Sequence, residues 1–401
     1  MNGILPFLKT LFFPHSHDRI LLVGGTVRDM LLGVASRDID LVTDLFHDEL
    51  LRLGFHFVEP TSGAAIYFRH HPESGNIEVS RIGSLGDLES DLRHRDFTIN
   101  AMALTLSGVR IDPLSGEVDL GERRLRACSA DTFKNDPLRI FRAFRFEADG
   151  WRMEQETGAL IRGRDWSGPF RGMPVERFSG EMLKALALKK PELFFARMIE
   201  FNAGAEFLPE LFRMPNIPAG PLQHHPEGDL FNHSIEVLQR VSATSHDPLT
   251  RFCALFHDLG KLATDPALYP KHHGHDYAGF GMAVEFCNRL RLPAAYRTAL
   301  AWVSSLHGKA NIWETLRDGT KLTMAEQAFK AGIVDILPLV AAADKSGGLL
   351  MAGWRDAVRV AGMSARELGV DQEKLEAMPI KNRTAFILQK RVETMRASYT
   401  P

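Results

Sequence analysis

The chain has 401 residues, 45% of them hydrophobic and 24% charged, which is typical of a globular protein with more than one domain. Its formal net charge of −2 excludes a globally basic surface, so any contact with nucleic acid must come from local basic patches. The three cysteines are far apart, which excludes a disulfide framework or a zinc pattern and fits a reducing cytosol.

The N-terminal stretch from Ile4 to Phe13 is apolar, but Pro6 and Lys9 interrupt it. No signal-cleavage pattern follows, and no later run approaches the ~20 apolar residues of a membrane span. We therefore expect a cytoplasmic protein with no membrane partner, whose first dozen residues pack on the first strand or are partly loose.

The first chemical motif follows a short apolar strand predicted at Ile20–Val23. Gly24 and Gly25 come next, and two glycines let the backbone approach a phosphate closely. We expect a helix to begin near Val27, so that its N-terminal amides point towards the same place.

A pair of carboxylates lies on the next predicted strand, Ile39–Val42. Asp38 and Asp40 are two positions apart, so on a strand they point to the same face. Two such carboxylates repel each other unless cations lie between them, and Mg²⁺ prefers oxygen ligands and substrate phosphates. A solvated strand end is the alternative for this pair alone. Together with the Gly-Gly turn, the pair indicates a nucleotidyltransferase site with two Mg²⁺ ions.

A basic cluster follows in residues 92–103, where Arg95 and Asp96 stand at a predicted helix start. Arg95 is a candidate to hold a triphosphate, and Asp96 is a candidate to accept a hydrogen bond from a ribose hydroxyl. The alternative for this segment is a helix cap with solvated arginines.

The helix predicted at residues 137–148 carries charged side chains at every third position. Asp136 and Arg139 match the donor and acceptor order on the Watson–Crick edges of cytosine and adenine, whereas guanine and uracil present the reverse order. Arg142 and Arg145 lie on the same face, where they can contact a triphosphate or a nucleic-acid backbone. The alternative is a solvent-facing ion pair on a basic helix.

A second set of chemical side chains lies in a helical region predicted at residues 230–352. His233, His257, Asp258 and Asp344 follow one another on separate predicted helices. Imidazoles and carboxylates from separate helices can converge on a divalent ion. A single histidine is more often a core residue than a ligand, but the adjacency of His257 and Asp258 favours metal binding.

Further histidines follow in residues 271–276 and at His307. His273 and His275 are candidates to bind a second metal ion or a phosphate in the same centre.

The whole set of motifs resembles the class II tRNA nucleotidyltransferases, the bacterial CCA-adding enzyme family, with its poly(A) polymerase relatives. The similar segments are residues 24–33, 38–40, 95–101, 136–139 and 175–177. The resemblance implies an α+β protein with a polymerase-β-like nucleotidyltransferase head, an all-α neck and body, a helical HD domain and a helical tail. We expect these four domains at residues 1–125, 126–220, 221–352 and 353–401.

The resemblance also implies roles for individual residues in the head. Asp38 and Asp40 would be catalytic and hold the two Mg²⁺ ions, with Glu78 as the candidate third carboxylate. Asp136 and Arg139 would be the amino-acid template for the base. The implied nucleotide-binding positions are Gly25, Arg28, Arg95, Asp96, Asp136, Arg139, Arg142 and Arg145.

The region around His257 and Asp258 resembles the HD domain that some bacterial CCA-adding enzymes carry. This resemblance implies a divalent metal (Ni²⁺, Mn²⁺ or Mg²⁺) together with phosphatase and 2′,3′-cyclic phosphodiesterase activities on nucleotides. Such chemistry would repair damaged tRNA 3′ ends.

The segment between Glu78 and Arg95 departs from the family. Complete CCA-adding members have a long flexible loop there, associated with the switch to ATP, whereas here Arg81–Ser84 leads almost directly into Leu85–Leu92. Members that add only the two cytidines share this shortening. We therefore expect a CC-adding enzyme that uses CTP on the tRNA acceptor arm and leaves the terminal A to a separate A-adding enzyme.

Three alternatives remain open. The first is a complete CCA-adding enzyme that uses CTP and ATP. The second is a poly(A) polymerase that extends generic RNA, and the third is an HD phosphohydrolase with an inactive head. Against the last stand the intact Asp38, Asp40, Arg139 and Arg142, since a decayed site would have lost some of these residues.

Overall fold

The structure is a computed structural model that describes residues 3–34, 38–59, 65–72, 75–346, 348 and 350–398. The chain divides into two compact units, residues 1–165 and 166–401. The first unit contains the β-sheet, and the named elements of the second unit are all helices in the part of the chain described. The predicted α+β class is therefore confirmed. No helix among these residues combines the length and the apolar character needed to cross a membrane.

The strands of the first unit form a seven-stranded sheet in the order β3-β4-β5-β2-β1-β6-β7, and β8 pairs with β9 separately. Neighbouring strands of the large sheet run antiparallel, except β2 and β5, which are parallel. The strands are β1 Ile20–Val23, β2 Asp38–Thr43, β3 His56–Val58, β4 Ile66–His71, β5 Gly75–Arg81, β6 Ala103–Thr105, β7 Arg110–Ile111, β8 Arg124–Leu125 and β9 Arg152–Met153.

Alternation in β2 and β5 separates a buried face of the sheet from a polar one. One face of these strands covers the core, because Ile39, Leu41, Ile77 and Val79 are all buried, and this burial stabilises the two strands. Their polar neighbours point to the other face, where Asp38 lies opposite Asn76 and Asp40 lies opposite Glu78. Cross-strand partners project from the same side of a sheet, so the register places three carboxylates on one face.

Eight α-helices lie in the described part of the first unit. The seventh is amphipathic, with Phe141 and Phe144 fully buried on one side and the predicted arginines on the other. The helices are α1 Ile4–Leu11, α2 Gly24–Leu32, α3 His47–Arg52, α4 Leu88–Arg93, α5 Gly116–Gly121, α6 Thr132–Asn135, α7 Leu138–Ala148 and α8 Gln155–Ile161.

The predicted elements of this unit differ from the observed ones mainly at their ends. The first strand has the predicted bounds, but α2 begins at Gly24 rather than near Val27. The N-terminal segment forms α1 and buries Leu8. The resemblance implies an all-α neck and body at residues 126–220, yet β9 lies in this range, because its two residues pair with β8 in parallel.

The second unit is a helical bundle in which charged side chains fix the helix ends. Asp229 accepts a hydrogen bond from the Asn232 amide at the start of α13, and Asp247 does the same for the Thr250 amide in α14. The helices are α9 Ser167–Arg171, α10 Val175–Leu186, α11 Glu192–Glu200, α12 Pro209–Arg213, α13 Leu230–Ser242, α14 Pro248–Phe256, α15 His275–Arg289, α16 Ala294–Ala310, α17 Asp318–Ala331, α18 Ile336–Asp344, α19 Trp354–Ala361, α20 Gln372–Ala377 and α21 Ile380–Ser398.

The Pro- and Gly-rich segment 214–221 lies inside the second unit and packs closely on it. Ala219 is fully buried, and its carbonyl accepts a 2.6 Å hydrogen bond from Lys261. The Pro218 carbonyl accepts another, of 2.7 Å, from the His272 ring. The segment is therefore anchored rather than an open linker, and the four-domain division at these positions stays a prediction.

Candidate functional sites

A cavity of about 230 Å³ opens in the first unit beside the carboxylates of the sheet. The end of β1, the start of α2, strands β2 and β5, the segment after α4 and helix α7 all contribute to its walls. Predicted site residues that line it are Gly25, Asp40, Glu78, Arg95, Asp96, Arg139 and Arg142. Asp38, Arg28, Asp136 and Arg145 lie outside this lining.

The carboxylates of this cavity disfavour one another's charge. Burial raises the pKa of Asp40, and the neighbouring Asp38 raises it further, while Arg95 acts in the opposite direction. Burial also raises the pKa of Glu78, and Asp40 and Asp38 add to that effect. Converging oxygens with an excess of negative charge are the ligand set that a divalent cation prefers, so the residues present fit the predicted metal ions.

The hydroxyl of Thr26 fixes the backbone between the two aspartates of β2. It accepts a 2.8 Å hydrogen bond from the Asp40 amide and donates to the Asp38 carbonyl at 3.2 Å. Thr26 is buried, and its two hydrogen bonds join α2 to β2 beside the carboxylates of Asp38 and Asp40. The sequence reasoning missed this residue, although its place directly after the two glycines was a usable signal.

The structure gives a different reason for glycine at position 24 than at position 25. Gly24 has a φ of +66°, and a Cβ there would lie 2.9 Å from Arg95 Nη1 and 3.2 Å from Asp40 Oδ2. A Cβ on Gly25 would meet only the flexible guanidinium of Arg28, at 3.5 Å. Gly24 is thus required by the protein itself, whereas the space beside Gly25 is compatible with the predicted approach of a nucleotide phosphate.

Gly24→Ala should lower the free energy of unfolding of the first unit by about 1–2 kcal/mol, because alanine is strained at positive φ and would displace Arg95. Gly25→Ala is the matched comparison and should change that free energy by less than about 0.5 kcal/mol, since its contacts are ordinary. Urea unfolding followed by circular dichroism measures both. Equal effects of the two substitutions would contradict this account of Gly24.

A chain of polar contacts connects α2 to α7 along the cavity. Arg28 donates a 2.7 Å hydrogen bond to the side-chain oxygen of Asn100, whose amide donates to Asp96 at 2.9 Å. Asp96 also pairs with Arg142 at 3.0 Å. Burial opposes the charge of Asp96, but Arg142, Asn100 and the Phe97 amide together lower its pKa. Asp96 therefore holds Arg142 in place, and its contact with a ribose stays a prediction.

Backbone carbonyls hold the guanidinium of Arg139 in one orientation. It donates to the carbonyl of His94 at 2.7 Å and to those of Thr132 and Arg95 at 3.2 and 3.3 Å. Asp136 accepts from the Leu138 amide at 3.2 Å at the start of α7. A guanidinium fixed in this way at the cavity wall is suited to a planar hydrogen-bonding partner.

The second unit brings the four predicted residues of the other centre together. His233 lies on α13, His257 and Asp258 directly follow α14, and Asp344 ends α18. His233 Nε2 lies 3.2 Å from Asp344 and 3.5 Å from Asp258, and His257 Nε2 lies 3.3 Å from Asp258. Two imidazoles and two carboxylates, carried by α13, the segment after α14 and the end of α18, thus converge in the interior of the bundle.

Buried polar atoms in this cluster have no hydrogen-bond partner among the residues described. They are Nε2 of His233, Nε2 of His257 and Oδ1 of Asp258. The other nitrogen of each histidine ring has a hydrogen-bond partner. His233 Nδ1 lies 2.6 Å from the Glu227 carboxylate, and His257 Nδ1 lies 2.8 Å from the Ala254 carbonyl. With a metal ion bound, each Nδ1 would carry the proton and each Nε2 would give its lone pair to the ion.

The charge of this cluster also fits a cation. Burial disfavours a charged imidazole, but Asp258 and Asp344 outweigh it and raise the pKa of His257 to about 10. The pKa values of both carboxylates lie well below their usual range, although burial opposes this. An imidazole that holds a proton firmly between two ionised carboxylates can exchange that proton for a divalent ion, as metal sites do.

A second group of ligand atoms lies on the other side of Asp258. Its Oδ1 is 3.2 Å from His307 Nε2 and 3.4 Å from His275 Nε2. A cavity of about 340 Å³ opens onto Asp258, His275, His307 and Asp344. His275 thus joins the centre, whereas His273 is exposed and belongs to none of the potential metal clusters in the described residues.

Lys261 is a charged residue of this centre that the sequence reasoning missed. Its ammonium lies 2.7 Å from Asp258 and is almost completely buried. The sequence shows a lysine four residues after the candidate metal ligand His257, but it does not show in which direction the side chain of this lysine points.

Two family profiles match the chain. The poly A polymerase head domain matches residues 62–126, and the HD domain matches residues 230–344. The multifunctional CCA protein of Methylococcus capsulatus is 35% identical over 326 residues, which cover 77% of this chain and 76% of that protein. The multifunctional CCA protein of Thioalkalivibrio sulfidiphilus is 36% identical over 322 residues, covering 76% and 78%.

Solved structures of CCA-adding enzymes share the fold. One in complex with CTP has a TM-score of 0.64 at 20% identity and covers 98% of this chain and 92% of that one. The Thermotoga maritima enzyme complexed with tRNA has a TM-score of 0.61 at 19% identity, covering 100% and 96%. Similarity in sequence over three quarters of the chain, with a nucleotidyltransferase head and an HD domain in one polypeptide, places this chain in the family of the multifunctional CCA proteins, which are tRNA nucleotidyltransferases.

Proposed function

We propose that the protein adds the two cytidines of the 3′-terminal CCA to tRNA, taking CTP as substrate and using no nucleic-acid template. The 3′-hydroxyl of the acceptor arm attacks the α-phosphate of CTP, and pyrophosphate leaves. The observation that carries the proposal is one cavity in which Asp40 and Glu78 face Arg95, Arg139 and Arg142.

The residues of the cavity divide the work by their charge. Asp38, Asp40 and Glu78 would hold two Mg²⁺ ions, which supply activation of the hydroxyl and stabilisation of the leaving pyrophosphate. Arg95 and Arg142 would neutralise the triphosphate, and each is kept in position by a carboxylate, Arg95 by Asp91 at 3.1 Å and Arg142 by Asp96 at 3.0 Å.

The base of the nucleotide would be selected by Asp136 and Arg139. Cytosine offers an amino donor beside a ring acceptor, which a carboxylate and a guanidinium can bind together. The three carbonyls that hold Arg139 support this role, because they keep its planar group from rotating when no nucleotide is bound.

The restriction to cytidine rests on the short connection between β5 and Arg95. Residues 82–94 are all described, and they form a packed path rather than a long loop. The Ile82 amide donates to the Thr43 carbonyl at 2.9 Å, and the Ser84 amide donates to Asp87 at the same distance. Leu88 and Leu92 on α4 are buried. The flexible loop associated with ATP in complete CCA-adding members has no counterpart here.

Incubation with tRNA lacking CCA separates the candidate activities. With CTP alone and with CTP plus ATP, we expect products that end in CC, and we expect no addition of ATP to tRNA that already ends in CC. Sequencing gels of the 3′ ends measure this. Complete CCA ends would contradict the restricted activity, and extension of generic RNA with ATP alone would indicate a poly(A) polymerase instead.

We also propose that the centre in the second unit is a metal-dependent phosphohydrolase acting on phosphomonoesters and 2′,3′-cyclic phosphates of nucleotides. Ni²⁺, Mn²⁺ and Mg²⁺ are the candidate ions. The support lies in the unpaired Nε2 atoms of His233 and His257, and in Asp258, whose two oxygens face separate groups of ligands. His275 would bind the second ion or the substrate phosphate, whereas a role for the exposed His273 stays a prediction.

A further inference from the structure

The row of cross-strand partners that contains the carboxylates continues beyond them to the edge of the sheet. Asp40 on β2 is opposite Glu78 on β5, Glu78 is opposite Phe68 on β4, and Phe68 is opposite His56 on β3. Direct cross-strand partners project from the same face. Phe68 therefore stands on the catalytic face of the sheet, next to the third carboxylate.

The ring of Phe68 is accessible to solvent although β4 lies between β3 and β5 and is not an edge strand. Its relative exposure is 36%, whereas Tyr67, its neighbour on the other face, is 2% exposed. On the same face, Phe68 is surrounded by His70 and Asn76, joined by a 3.0 Å hydrogen bond, by the exposed Val58 and by the half-buried Ile66. An exposed aromatic ring on an open sheet face is the usual platform for an unpaired nucleobase.

The arginines of the cavity and Phe68 lie on opposite sides of the carboxylates. The cavity with the arginines is built from β1, α2, β2, β5 and α7, whereas Phe68 lies on β4, beyond β5 in the sheet order. In phosphoryl transfer the attacking oxygen approaches opposite to the leaving group. If pyrophosphate leaves on the arginine side, the hydroxyl of the acceptor must arrive from the side of β4.

The distances suit this arrangement. Neighbouring strands are about 4.8 Å apart, so Phe68 stands roughly 5 Å sideways from Glu78 and roughly 10 Å from Asp40. A hydroxyl held at the carboxylates therefore has the base of its own nucleotide within reach of the ring. We propose that Phe68 stacks on the 3′-terminal base of the RNA acceptor and positions its hydroxyl, an inference that rests on the proposed nucleotidyltransfer.

Stacking also fits an acceptor whose end changes during the reaction. The terminal base is the last base of the truncated tRNA in the first addition and a cytosine in the second. A π-face is common to all bases, so stacking tolerates this change, whereas hydrogen bonds to base edges would not. Phe68 is thus a positioning residue for the acceptor and plays no part in choosing CTP.

Phe68→Leu should raise the KM for tRNA lacking CCA about ten-fold and leave the KM for CTP within about two-fold, because one base stack is lost. Phe57→Leu is the matched control, since Phe57 is 41% exposed and projects from the opposite face towards His47 and Tyr67. It should change neither constant, and Phe68→Trp should restore the KM for tRNA. Equal changes in both KM values, or equal effects of the Phe57 and Phe68 substitutions, would overturn the proposal.

An acceptor with an abasic 3′-terminal nucleotide tests the stack directly. The wild-type protein should use it about ten-fold less efficiently than the normal acceptor, and Phe68→Leu should show no further loss. A full additional loss in the Leu variant would overturn the stacking partner. A wild-type protein that incorporates no CMP into any acceptor would overturn the proposed function as well, whereas an active wild type with an unaffected Leu variant would overturn this inference alone.

Discussion

Asp40→Asn is expected to slow incorporation of CMP into tRNA by roughly a thousand-fold or more. Cations held by this carboxylate stabilise transition-state charge by several kcal/mol, and each 1.36 kcal/mol corresponds to a factor of ten in rate. Single-turnover incorporation of labelled CTP measures the chemical step without product release. Asp18→Asn, which changes an exposed carboxylate of the same unit, should leave the rate within about two-fold.

The same substitution should not damage the fold. Burial and Asp38 raise the pKa of Asp40, so its charge destabilises the folded state at neutral pH. In the presence of a chelator, the Asn variant should melt at the same temperature as the wild type or higher. The difference should shrink as the pH falls through the ordinary aspartate range and vanish below about pH 3, where the carboxyl is protonated in both states. A variant that melts earlier and loses both activities would show that Asp40 is structural.

The sequence predicted the chemistry of the head better than its geometry. The spacing of Asp38 and Asp40 was sufficient to place them on one face, because strand alternation is local. The position of Glu78 depended on the parallel pairing of β2 with β5, which brings together residues 38 positions apart and has no local signature. The resemblance to a family supplied this residue, and the register then placed it beside Asp40.

Side chains that act through others were missed for the same reason. Thr26 and Asn100 are ordinary residues in the sequence, and their roles exist only because α2, β2 and the segment after α4 meet. The candidate role of Asp96 was read from its basic neighbours, whereas the fold buries it against Arg142. Lys261 reaches a carbonyl that lies 42 positions earlier in the chain.

In the histidine cluster, the backbone conformation of one residue, Gly274, determines which neighbouring side chain points to the centre. His273 and His275 are equally good candidates by composition, but Gly274 has a φ of +78° and α15 begins directly after it. The chain turns there, which leaves His273 exposed and brings His275 within 3.4 Å of Asp258. A preference of this kind depends on the local turn, which residue types alone did not reveal.

His257→Gln should lower the rate of hydrolysis of 2′,3′-cyclic nucleotides roughly 10²–10³-fold. The rate of CMP incorporation should stay within about two-fold of the wild-type rate. The imidazole supplies one of the unpaired Nε2 atoms, while the carboxylates of the nucleotidyltransferase lie in the other compact unit. Glutamine keeps a polar group at this fully buried position, which limits the loss of stability. Both assays are run on the same preparation.

Metal binding gives a readout that does not depend on activity. An ion that binds only the folded state stabilises it by about 2.7 kcal/mol at a concentration 100 times its Kd, so Mn²⁺ or Ni²⁺ should raise the melting temperature of the wild-type protein. The increase should be smaller in His257→Gln, because the Nε2 of the histidine completes the cluster with His233 and Asp258, whereas the carboxylates of the first unit would still bind the ion. An equal increase in both proteins would place the ion elsewhere, and loss of both activities in the variant would mean that the cluster only supports the fold.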